Sequence, residues 1–253
     1  MTSRWRLGRP EASLIVAIIP ARSASARLPG KVLADIGGAP MVVRVWERVF
    51  AARGVDAVYV ATDDDAVAQA VLAHGGRVLR TGPASNGTLR VAAAAASLSP
   101  APTVVVNVQG DEPFVEPSLV TDLADAVVRG AAIATASAPL DAAEASKASR
   151  VKVVTDASGR ALYFSRAPIP TRGPYRVHVG VYAFEARTLA RVAALAPSPL
   201  EQAEQLEQLR WLEAGVPIQV LTVADAGLAV DTADDLQRAR ARWAGASTLV
   251  GCS

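Results

Sequence analysis

Short apolar runs alternate with helix-patterned segments through the first half of the chain. Three of the runs are continuous and rich in β-branched residues, which predicts buried strands over 14–19, 57–61 and 103–108. The segments after them carry helical spacing of apolar positions or helix start and stop signals. They predict helices over 40–53, 63–74 and 118–129. This alternation predicts an α/β fold, with a mostly parallel sheet and helices on both faces.

The pattern changes after about residue 140. Residues 151–155 and 160–165 are short strand-like runs joined by Asp-Ala-Ser-Gly, which predicts a hairpin. The other predicted elements are a strand at 177–184, a helix at 198–214, a strand at 217–223 and a last helix from about Thr232. We therefore expect a small strand-rich extension, at about 140–200, grafted onto the sheet of the first half.

Length and composition favour one folded enzyme-sized domain. The chain has 253 residues, of which 51% are hydrophobic and 20% charged, and this excludes a disordered chain. We expect a flexible extension at 1–13, one α/β domain at 14–246 and a C-terminal tail at 247–253. The net charge is +2 and the basic residues are spread along the chain, so a nucleic-acid partner is not expected.

Rare residue types narrow the chemistry further. A single cysteine, Cys252, excludes disulfide frameworks and cysteine-rich zinc sites. The two histidines, His74 and His178, lie in no H-E-x-x-H pattern, so zinc catalysis is not expected. No apolar segment is long enough for a membrane span, and 14–19 is too short for a signal-peptide core. We therefore expect a cytoplasmic protein with no membrane partner.

Three cations lie in the loop that follows the first predicted strand: Arg22, Arg27 and Lys31. Ligands of open α/β sheets bind at this edge, and Gly30 lets the backbone approach one. The three side chains can converge on a polyphosphate; a solvated basic loop is the alternative. The loop has no G-x-G-x-x-G fingerprint, which argues against an NAD-dependent oxidoreductase.

Carboxylates occur at two further places. Asp111 and Glu112 directly follow the strand at 103–108, and oxygen ligands of this kind suit Mg²⁺, although a Gly-Asp turn is an equal alternative. Asp231 precedes the last helix, where a helix cap is the simpler interpretation. Thr232 and Asp235 approximate a capping box there.

Other polar residues have ordinary structural interpretations. His178 lies on an alternating strand, where a hydrogen-bonded core histidine is favoured over a cleft residue. The three aspartates at 63–65 are typical of the first turn of a helix. A solvated helix face is the ordinary interpretation for Glu204, Glu207 and Gln208.

Eight motifs lie in order between about Ile15 and Arg242. They are IIPAR with RLPGK at 18–31, VNVQGDEP at 106–113, VKVV at 151–154, LYFSR at 162–166, HVGVY at 178–182, PSPLE at 197–201, LEQLR at 206–210 and VDT at 230–232. Together they resemble the 3-deoxy-manno-octulosonate cytidylyltransferases, the CMP-Kdo synthetases. The resemblance implies a nucleotidyltransferase (Rossmann-like) α/β fold whose strand-rich extension serves dimerisation and sugar binding.

The resemblance also implies an activity and a set of partners. The family transfers CMP from CTP to the anomeric hydroxyl of Kdo (3-deoxy-D-manno-octulosonate), releasing pyrophosphate and forming CMP-Kdo for lipopolysaccharide biosynthesis. It uses Mg²⁺ and is usually a homodimer. We therefore expect a Mg²⁺-dependent cytidylyltransferase.

Site residues follow from the matched motifs. The resemblance implies that Arg22 and Lys31 hold the triphosphate with help from Arg27, and that Asp111 and Asp231 bind Mg²⁺, which replaces the cap interpretation of Asp231. The residues implied to face the nucleotide are Gln109 and the loop containing Gly87 and Arg90. Those implied to bind the sugar acid are Arg166, His178, Tyr182, Glu207 and Gln208.

The sequence departs from the family pattern at three places. Its Ser-Gly-Thr-acid-Arg motif is here Asn86-Gly-Thr-Leu89-Arg90, so a carboxylate has become leucine beside the nucleotide loop. Val177 stands where a basic residue is expected, and Ala229 where a glycine is expected. Because these changes lie near expected substrate contacts, the alternatives are another 2-keto-3-deoxy sugar acid as acceptor, or a nucleotide-binding homologue without turnover.

Overall fold

The computed structural model describes residues 13–22 and 28–250, with side chains described as far as residue 245. The extension at 1–13 therefore lies almost wholly outside the described residues, as do Arg27 and Cys252. The chain forms two compact units. The flanking unit consists of residues 16–99, 107–118 and those after 226, and the central unit of residues up to 15, 100–106 and 119–226.

The flanking unit contains the first parallel strands and the helices between them. Its elements are β1 (Ile15–Pro20), a 3-10 turn (Lys31–Leu33), β2 (Asp35–Ile36), β3 (Ala39–Pro40), α1 (Met41–Phe50), β4 (Ala57–Thr62), α2 (Asp65–Ala73), β5 (Arg77–Arg80) and α3 (Gly87–Ala96). Strands β1, β4 and β5 pair in parallel, in that order. All six residues of β1 are buried, as expected of a parallel strand covered on both faces.

The elements from residue 104 onward complete the molecule. They are β6 (Val104–Asn107), α4 (Pro117–Val128), β7 (Ile133–Leu140), α5 (Ala142–Ala145), β8 (Lys152–Thr155), β9 (Ala161–Ser165), β10 (Tyr175–Glu185), α6 (Ala186–Ala193), α7 (Pro199–Glu204), α8 (Gln208–Glu213), β11 (Ile218–Thr222) and α9 (Ala233–Val250). In the central unit β7 pairs in parallel with β11 and antiparallel with β10. The predicted hairpin is confirmed as the antiparallel pair β8 and β9.

The predicted α/β class is confirmed, with parallel pairing in the first half and antiparallel strands added in the second. The helix predicted from about Thr232 is α9, which extends to Val250, past the start of the tail expected at 247. None of the helices in the described part of the chain is long and apolar enough to cross a membrane.

One predicted element was wrong, and some elements of the structure were not predicted. The single helix expected at 198–214 is two helices, because Gln205 adopts a left-handed conformation with φ of 54° between α7 and α8. Strand β7 was not predicted at all. Its buried stretch is built of alanine, serine and threonine after Ile133, and such small residues give little strand signal.

Candidate functional site

A cavity of about 350 Å³ opens beyond the carboxyl end of β1, within the flanking unit. This is the edge at which open α/β sheets bind ligands. The lining residues are Pro20, Ala21, Arg22, Lys31, Val32, Ala84, Asn86, Gly87, Arg90, Gln109, Gly110, Asp111 and Asp231. All seven described residues that were expected to hold the triphosphate, the base or the metal are therefore in one cavity.

Lys31 lies at the centre of the charged part of this cavity. Its Nζ donates to Asp111 Oδ2 at 2.5 Å, to Asp231 Oδ1 at 3.0 Å and to the carbonyl oxygen of Val230 at 3.2 Å. Gly30, with φ of 69°, starts the short 3-10 turn that carries Lys31, and this left-handed conformation suits glycine. The lysine side chain is only 11% exposed, so water is largely excluded from these contacts.

Two opposing effects determine the protonation of Lys31. Burial alone lowers the pKa of its ammonium group, whereas the charges and hydrogen bonds of Asp111 and Asp231 raise it. The carboxylates prevail, and the pKa of Lys31 lies above its ordinary value. Lys31 therefore stays positively charged at neutral pH.

The contacts of the carboxylates show which of them cap a helix and which face the cavity. Thr232 and Asp235 form the cap of α9, since the backbone N–H of Thr232 donates to Asp235 Oδ2 at 2.9 Å and that of Asp235 donates to Thr232 Oγ1 at 3.2 Å. The carboxylate of Asp231 instead contacts Lys31. The backbone N–H of Val230 donates to the Asp111 carbonyl at 2.9 Å, which ties the two acidic segments together. Glu112 is buried and does not line the cavity.

The N-terminus of α3 forms another wall. Asn86 caps this helix by accepting a hydrogen bond from the Leu89 backbone N–H at 2.8 Å. Arg90 is buried and pairs with Asp63 at 3.0 Å, so its charge is balanced. Asp63 is therefore an ion-pair partner, and Asp64 is the residue that caps α2. Leu89 is not among the lining residues.

Gln109 is held by a hydrogen bond to Asn107 and lies close to the backbone at Gly87. Its Nε2 donates to Asn107 Oδ1 at 3.1 Å, and a Cβ atom on Gly87 would lie only 3.1 Å from its Oε1. Asn107 is 1% exposed, and its Nδ2 has no partner although it is buried. Sequence reasoning missed Asn107 as a support for Gln109; its place in the VNVQGDEP motif is the one signal that could have found it.

The residues expected to bind the sugar acid lie in the central unit. Arg166 donates to three backbone carbonyls: Glu204 at 2.9 Å, Ala148 at 3.0 Å and Gln205 at 3.2 Å. The Glu204 carboxylate accepts from the Arg166 backbone N–H at 2.8 Å and from Ser165 Oγ at 2.7 Å. The interpretation of Glu204 as part of a solvated face was therefore wrong.

Lys152 supports the same segment and was not predicted. It is fully buried, and its Nζ donates to the Arg166 carbonyl at 2.5 Å and to the Lys147 carbonyl at 3.2 Å. Burial, reinforced by the charge of Arg166 and opposed by that of Glu204, lowers the pKa of Lys152.

His178 is a hydrogen-bonded histidine on β10. Its Nε2 lies 3.0 Å from Thr135 Oγ1, and its ring is 5.1 Å from that of Phe164 and 5.3 Å from that of Tyr182. Burial among these groups lowers the pKa of His178 to about 3, so the ring is neutral at physiological pH. The favoured interpretation of a hydrogen-bonded histidine agrees with these contacts.

Two buried polar atoms without a partner among the described residues belong to Tyr182, whose ring contacts that of His178, and to Trp211, whose ring contacts that of Tyr182. The Tyr182 hydroxyl and Trp211 Nε1 are buried with no hydrogen-bond partner, and their rings are 5.2 Å apart. Burial, and then the nearby charge of Glu207, raise the pKa of Tyr182 well above its usual value. Gln208 is buried, so the interpretation of a solvated face was wrong for it too, and Glu207 is half-buried. Buried donors of this kind can bind hydroxyl groups of a ligand.

The donor set of the cavity in the flanking unit fits a magnesium ion. The described part of the chain contains no cluster of three or more histidine, cysteine or acidic residues able to hold a metal. Asp111 and Asp231 nevertheless converge on one cation, the Lys31 ammonium. Mg²⁺ typically takes one or two protein carboxylates and completes its shell with phosphates and water.

Comparison with known proteins gives the family. A protein-family model described as Cytidylyltransferase matches residues 16–218. The 3-deoxy-manno-octulosonate cytidylyltransferase of Anaeromyxobacter dehalogenans (strain 2CP-C) is 52% identical over 233 residues, covering 90% of this chain and 96% of that protein. The protein of the same name from Myxococcus xanthus (strain DK1622) is 45% identical over 89% of this chain and 95% of its own length.

A solved structure agrees with these relatives. The structure of CMP:2-keto-3-deoxy-manno-octonic acid synthetase complexed with CTP is 41% identical and superposes with a TM-score of 0.88, covering 92% of this chain and 99% of that chain. Sequence, fold and the order of the matched motifs thus agree. The chain belongs to the 3-deoxy-manno-octulosonate cytidylyltransferase family.

Proposed function

We propose that this protein transfers CMP from CTP to the anomeric hydroxyl of Kdo, releasing pyrophosphate and forming CMP-Kdo. The observation that carries the proposal is the convergence of Lys31 with Asp111 and Asp231 in the cavity beyond β1. The relatives named for this reaction, and a similar structure that holds CTP, support it.

The cations of the cavity suit the charge that moves in this reaction. The sugar hydroxyl forms a bond to the α-phosphorus while the bond to the pyrophosphate oxygen breaks, so negative charge accumulates on the leaving group. Arg22 and Lys31 line the cavity, and the raised pKa of Lys31 keeps it cationic. Fixed cations of this kind stabilise the leaving pyrophosphate without reorganisation. Arg27, which lies outside the described residues, would assist them.

The side of the cavity proposed for the nucleoside carries no unbalanced charge, in contrast to the side that holds Arg22 and Lys31. Arg90 is neutralised by Asp63, and Gln109 is fixed by Asn107. We propose that Gln109 and the backbone at Gly87 face the nucleoside. A fixed amide offers a defined donor and acceptor pair, which distinguishes bases by hydrogen bonding.

We propose Mg²⁺ as the cofactor, held by Asp111 and Asp231. When bound, Mg²⁺ neutralises phosphate charge and promotes attack by the sugar hydroxyl. The two carboxylates already face a common cation, which is the arrangement such an ion needs. Lys31 contacts both of them, so the ammonium group is within reach of any phosphate that these carboxylates help to hold.

We propose that the sugar acid binds to the polar cluster of the central unit. Three of the five N–H groups of Arg166 bind backbone carbonyls, which leaves two for the carboxylate of the acid. The neutral His178 and the unpartnered hydroxyl of Tyr182 suit its hydroxyl groups. The remaining residues proposed for this site are Glu207 and Gln208.

We also propose that the protein is a cytoplasmic homodimer acting in lipopolysaccharide biosynthesis, as the resemblance implies. Sedimentation equilibrium measures the assembly directly: the expected mass is twice that of one chain, and the mass of a single chain would contradict the dimer.

Pyrophosphate release tests the activity. Each of the four ribonucleoside triphosphates is combined with Mg²⁺ and with Kdo or other 2-keto-3-deoxy sugar acids. Release with CTP and Kdo alone is expected. Release with a different acid would keep the chemistry and change the acceptor. Absence of release from every pair, with CTP still bound, would favour a homologue without turnover.

A further inference from the structure

Thr135 has an unusual number of contacts for one hydroxyl group. It lies on β7 and is fully buried. Its Oγ1 is 2.9 Å from the carbonyl oxygen of Val181, 3.1 Å from that of Val179 and 3.0 Å from His178 Nε2. Nothing in the sequence pattern singles out this threonine, because it lies among alanines and a serine in a strand that was not predicted.

An irregularity in β10 brings these groups together. The neighbours of Thr135 on β7 pair with Val179 and Ala183, so Thr135 alone faces the three residues 180–182. The bulge turns two carbonyl groups of the same strand towards one side chain. On its other side Thr135 pairs with Val220 of β11, so strands flank it on both sides.

Counting protons assigns the direction of each hydrogen bond. The threonine hydroxyl has one proton, and both carbonyl oxygens lie at hydrogen-bonding distance with no proton of their own. If that proton pointed to His178, two carbonyl oxygens would face the bare lone pairs of Oγ1, which is repulsive. The hydroxyl therefore donates to a carbonyl and accepts a hydrogen bond from the histidine.

We infer that Thr135 is a positioning residue that holds His178 with its proton on Nε2, so that Nδ1 is a hydrogen-bond acceptor for a hydroxyl group of the sugar acid. The part of this inference that concerns the ligand rests on the proposed function, whereas the part that concerns the tautomer does not. The hydrogen bond that one ring nitrogen makes fixes the protonation of the other.

Two further observations agree. The low pKa of His178, about 3, makes the ring neutral, so exactly one of its nitrogens carries a proton. Within the described residues His178 Nδ1 has no hydrogen-bond partner, and the rings of Phe164 and Tyr182 hold the imidazole in place. A ring nitrogen that accepts no hydrogen bond from the protein favours a ligand that carries a hydroxyl group. A ligand without a hydroxyl group would leave this nitrogen unpaired.

The tautomer is measured by long-range ¹H–¹⁵N NMR correlation on the full chain labelled in histidine, at about pH 8, well above the pKa of His178. The chain has two histidines, and the other one is a built-in control. His74 Nδ1 lies 2.8 Å from the Ala70 carbonyl, so its proton is on Nδ1. A His74→Gln variant assigns the signals. His178 protonated on Nε2 is the expected result; His178 protonated on Nδ1, or an even mixture of tautomers, would overturn the inference.

Two substitutions test the role of the hydroxyl in binding. Thr135→Val is expected to mix the two tautomers and to raise KM for Kdo about tenfold with KM for CTP unchanged. Thr135→Ser retains a hydroxyl and is expected to keep the tautomer and the wild-type KM. Unchanged tautomer and KM in Thr135→Val would contradict the inference.

If Thr135→Val does not fold, the spectra of the wild-type protein and of Thr135→Ser still decide the tautomer. If no sugar acid is turned over by the wild-type protein, the proposed function fails, but the NMR result remains a test of Thr135.

Discussion

The pKa of a buried ionisable group is shifted against the effect of burial in the cavity of the flanking unit, and in line with it in the polar cluster of the central unit. Burial disfavours the charge on both Lys31 and His178. Lys31 has two carboxylate partners, and its pKa rises. His178 has a hydroxyl partner, and its pKa falls to about 3. Carboxylate partners outweigh the effect of burial at Lys31, whereas at His178 the effect of burial prevails.

Lys152 extends the comparison to two residues of one type. It is fully buried, and its Nζ donates to the backbone carbonyls of Lys147 and Arg166. Its pKa is lowered whereas that of Lys31 is raised. The cavity of the flanking unit thus retains a cation that suits a triphosphate, and the polar cluster of the central unit combines a neutral histidine with the guanidinium of Arg166.

The largest effect is expected from Asp111→Asn. It removes one of the two carboxylates proposed for Mg²⁺ and takes away a charge partner of Lys31. We expect kcat/KM to fall by about 10²-fold or more, with the circular dichroism spectrum unchanged. The matched control is Asp65→Asn, which alters an aspartate 85% exposed and paired with Arg80 outside the cavity. Activity near the wild-type value in Asp111→Asn would remove Asp111 from the site.

A somewhat smaller loss is expected from Lys31→Met, which keeps the length of the side chain and removes its charge. We expect kcat to fall by tens to about 100-fold. The Asp111 and Asp231 carboxylates then lose their shared cation, so added Mg²⁺ should raise the unfolding temperature more than in the wild-type protein. An equal or smaller rise, measured by calorimetry, would argue against a metal site between these carboxylates.

Acid unfolding tests the lowered pKa of His178. Because the pKa of His178 falls from 6.5 to about 3 on folding, the unfolded chain takes up this proton first as the pH is lowered. Stability from this group is present above about pH 6.5 and is lost towards pH 3, at about 1.4 kcal/mol per pH unit.

Replacing His178 with glutamine should remove this part of the pH dependence. The free energy of unfolding of His178→Gln is expected to fall less steeply with acid than that of the wild-type protein, as measured by urea titration at several pH values. His74→Gln, which changes an exposed histidine in the same way, is the matched control for the substitution. Equal slopes in all three proteins would mean that His178 titrates normally.

The smallest effect is expected at the position where this chain departs from the family motif. The side chain of Leu89 does not line the cavity, and its backbone N–H is bound by the Asn86 cap. The departure from the family motif gives the expectation that Leu89→Glu changes the preference for CTP if this loop reads the base. The structure favours a ranking of the four triphosphates that stays within about twofold. A changed ranking in competition assays would restore the first expectation.

Much of the fold and of the charged cavity could be predicted because the signals are local. Strand β1 is a continuous apolar run, and parallel strands deliver the loops that follow them to one edge of the sheet. Lys31 and Asp111 were therefore identifiable as candidates from the segments after two strands. The role of Asp231 was not, since a carboxylate before a helix is typical of a cap until its contacts are known.

The supporting residues could not be predicted for a different reason. Thr135 and Lys152 each contact a partner that is distant along the chain or follows an adjacent strand. Asn107 contacts a nearby residue, but a single polar residue in an apolar strand has no periodicity. The break at Gln205 was also hidden, because glutamine rarely adopts a left-handed conformation. These features depend on tertiary contacts.

The central claim is that the charged cavity supports attack of a sugar hydroxyl on the α-phosphorus of CTP. Phosphorus NMR of a complete reaction with CTP, Kdo and Mg²⁺ tests it most directly, because each possible bond cleavage gives different products. We expect pyrophosphate and one new phosphodiester signal in equal amounts, with neither product formed by Asp111→Asn. Formation of CDP with inorganic phosphate, or of free CMP without a phosphodiester, would contradict the claim.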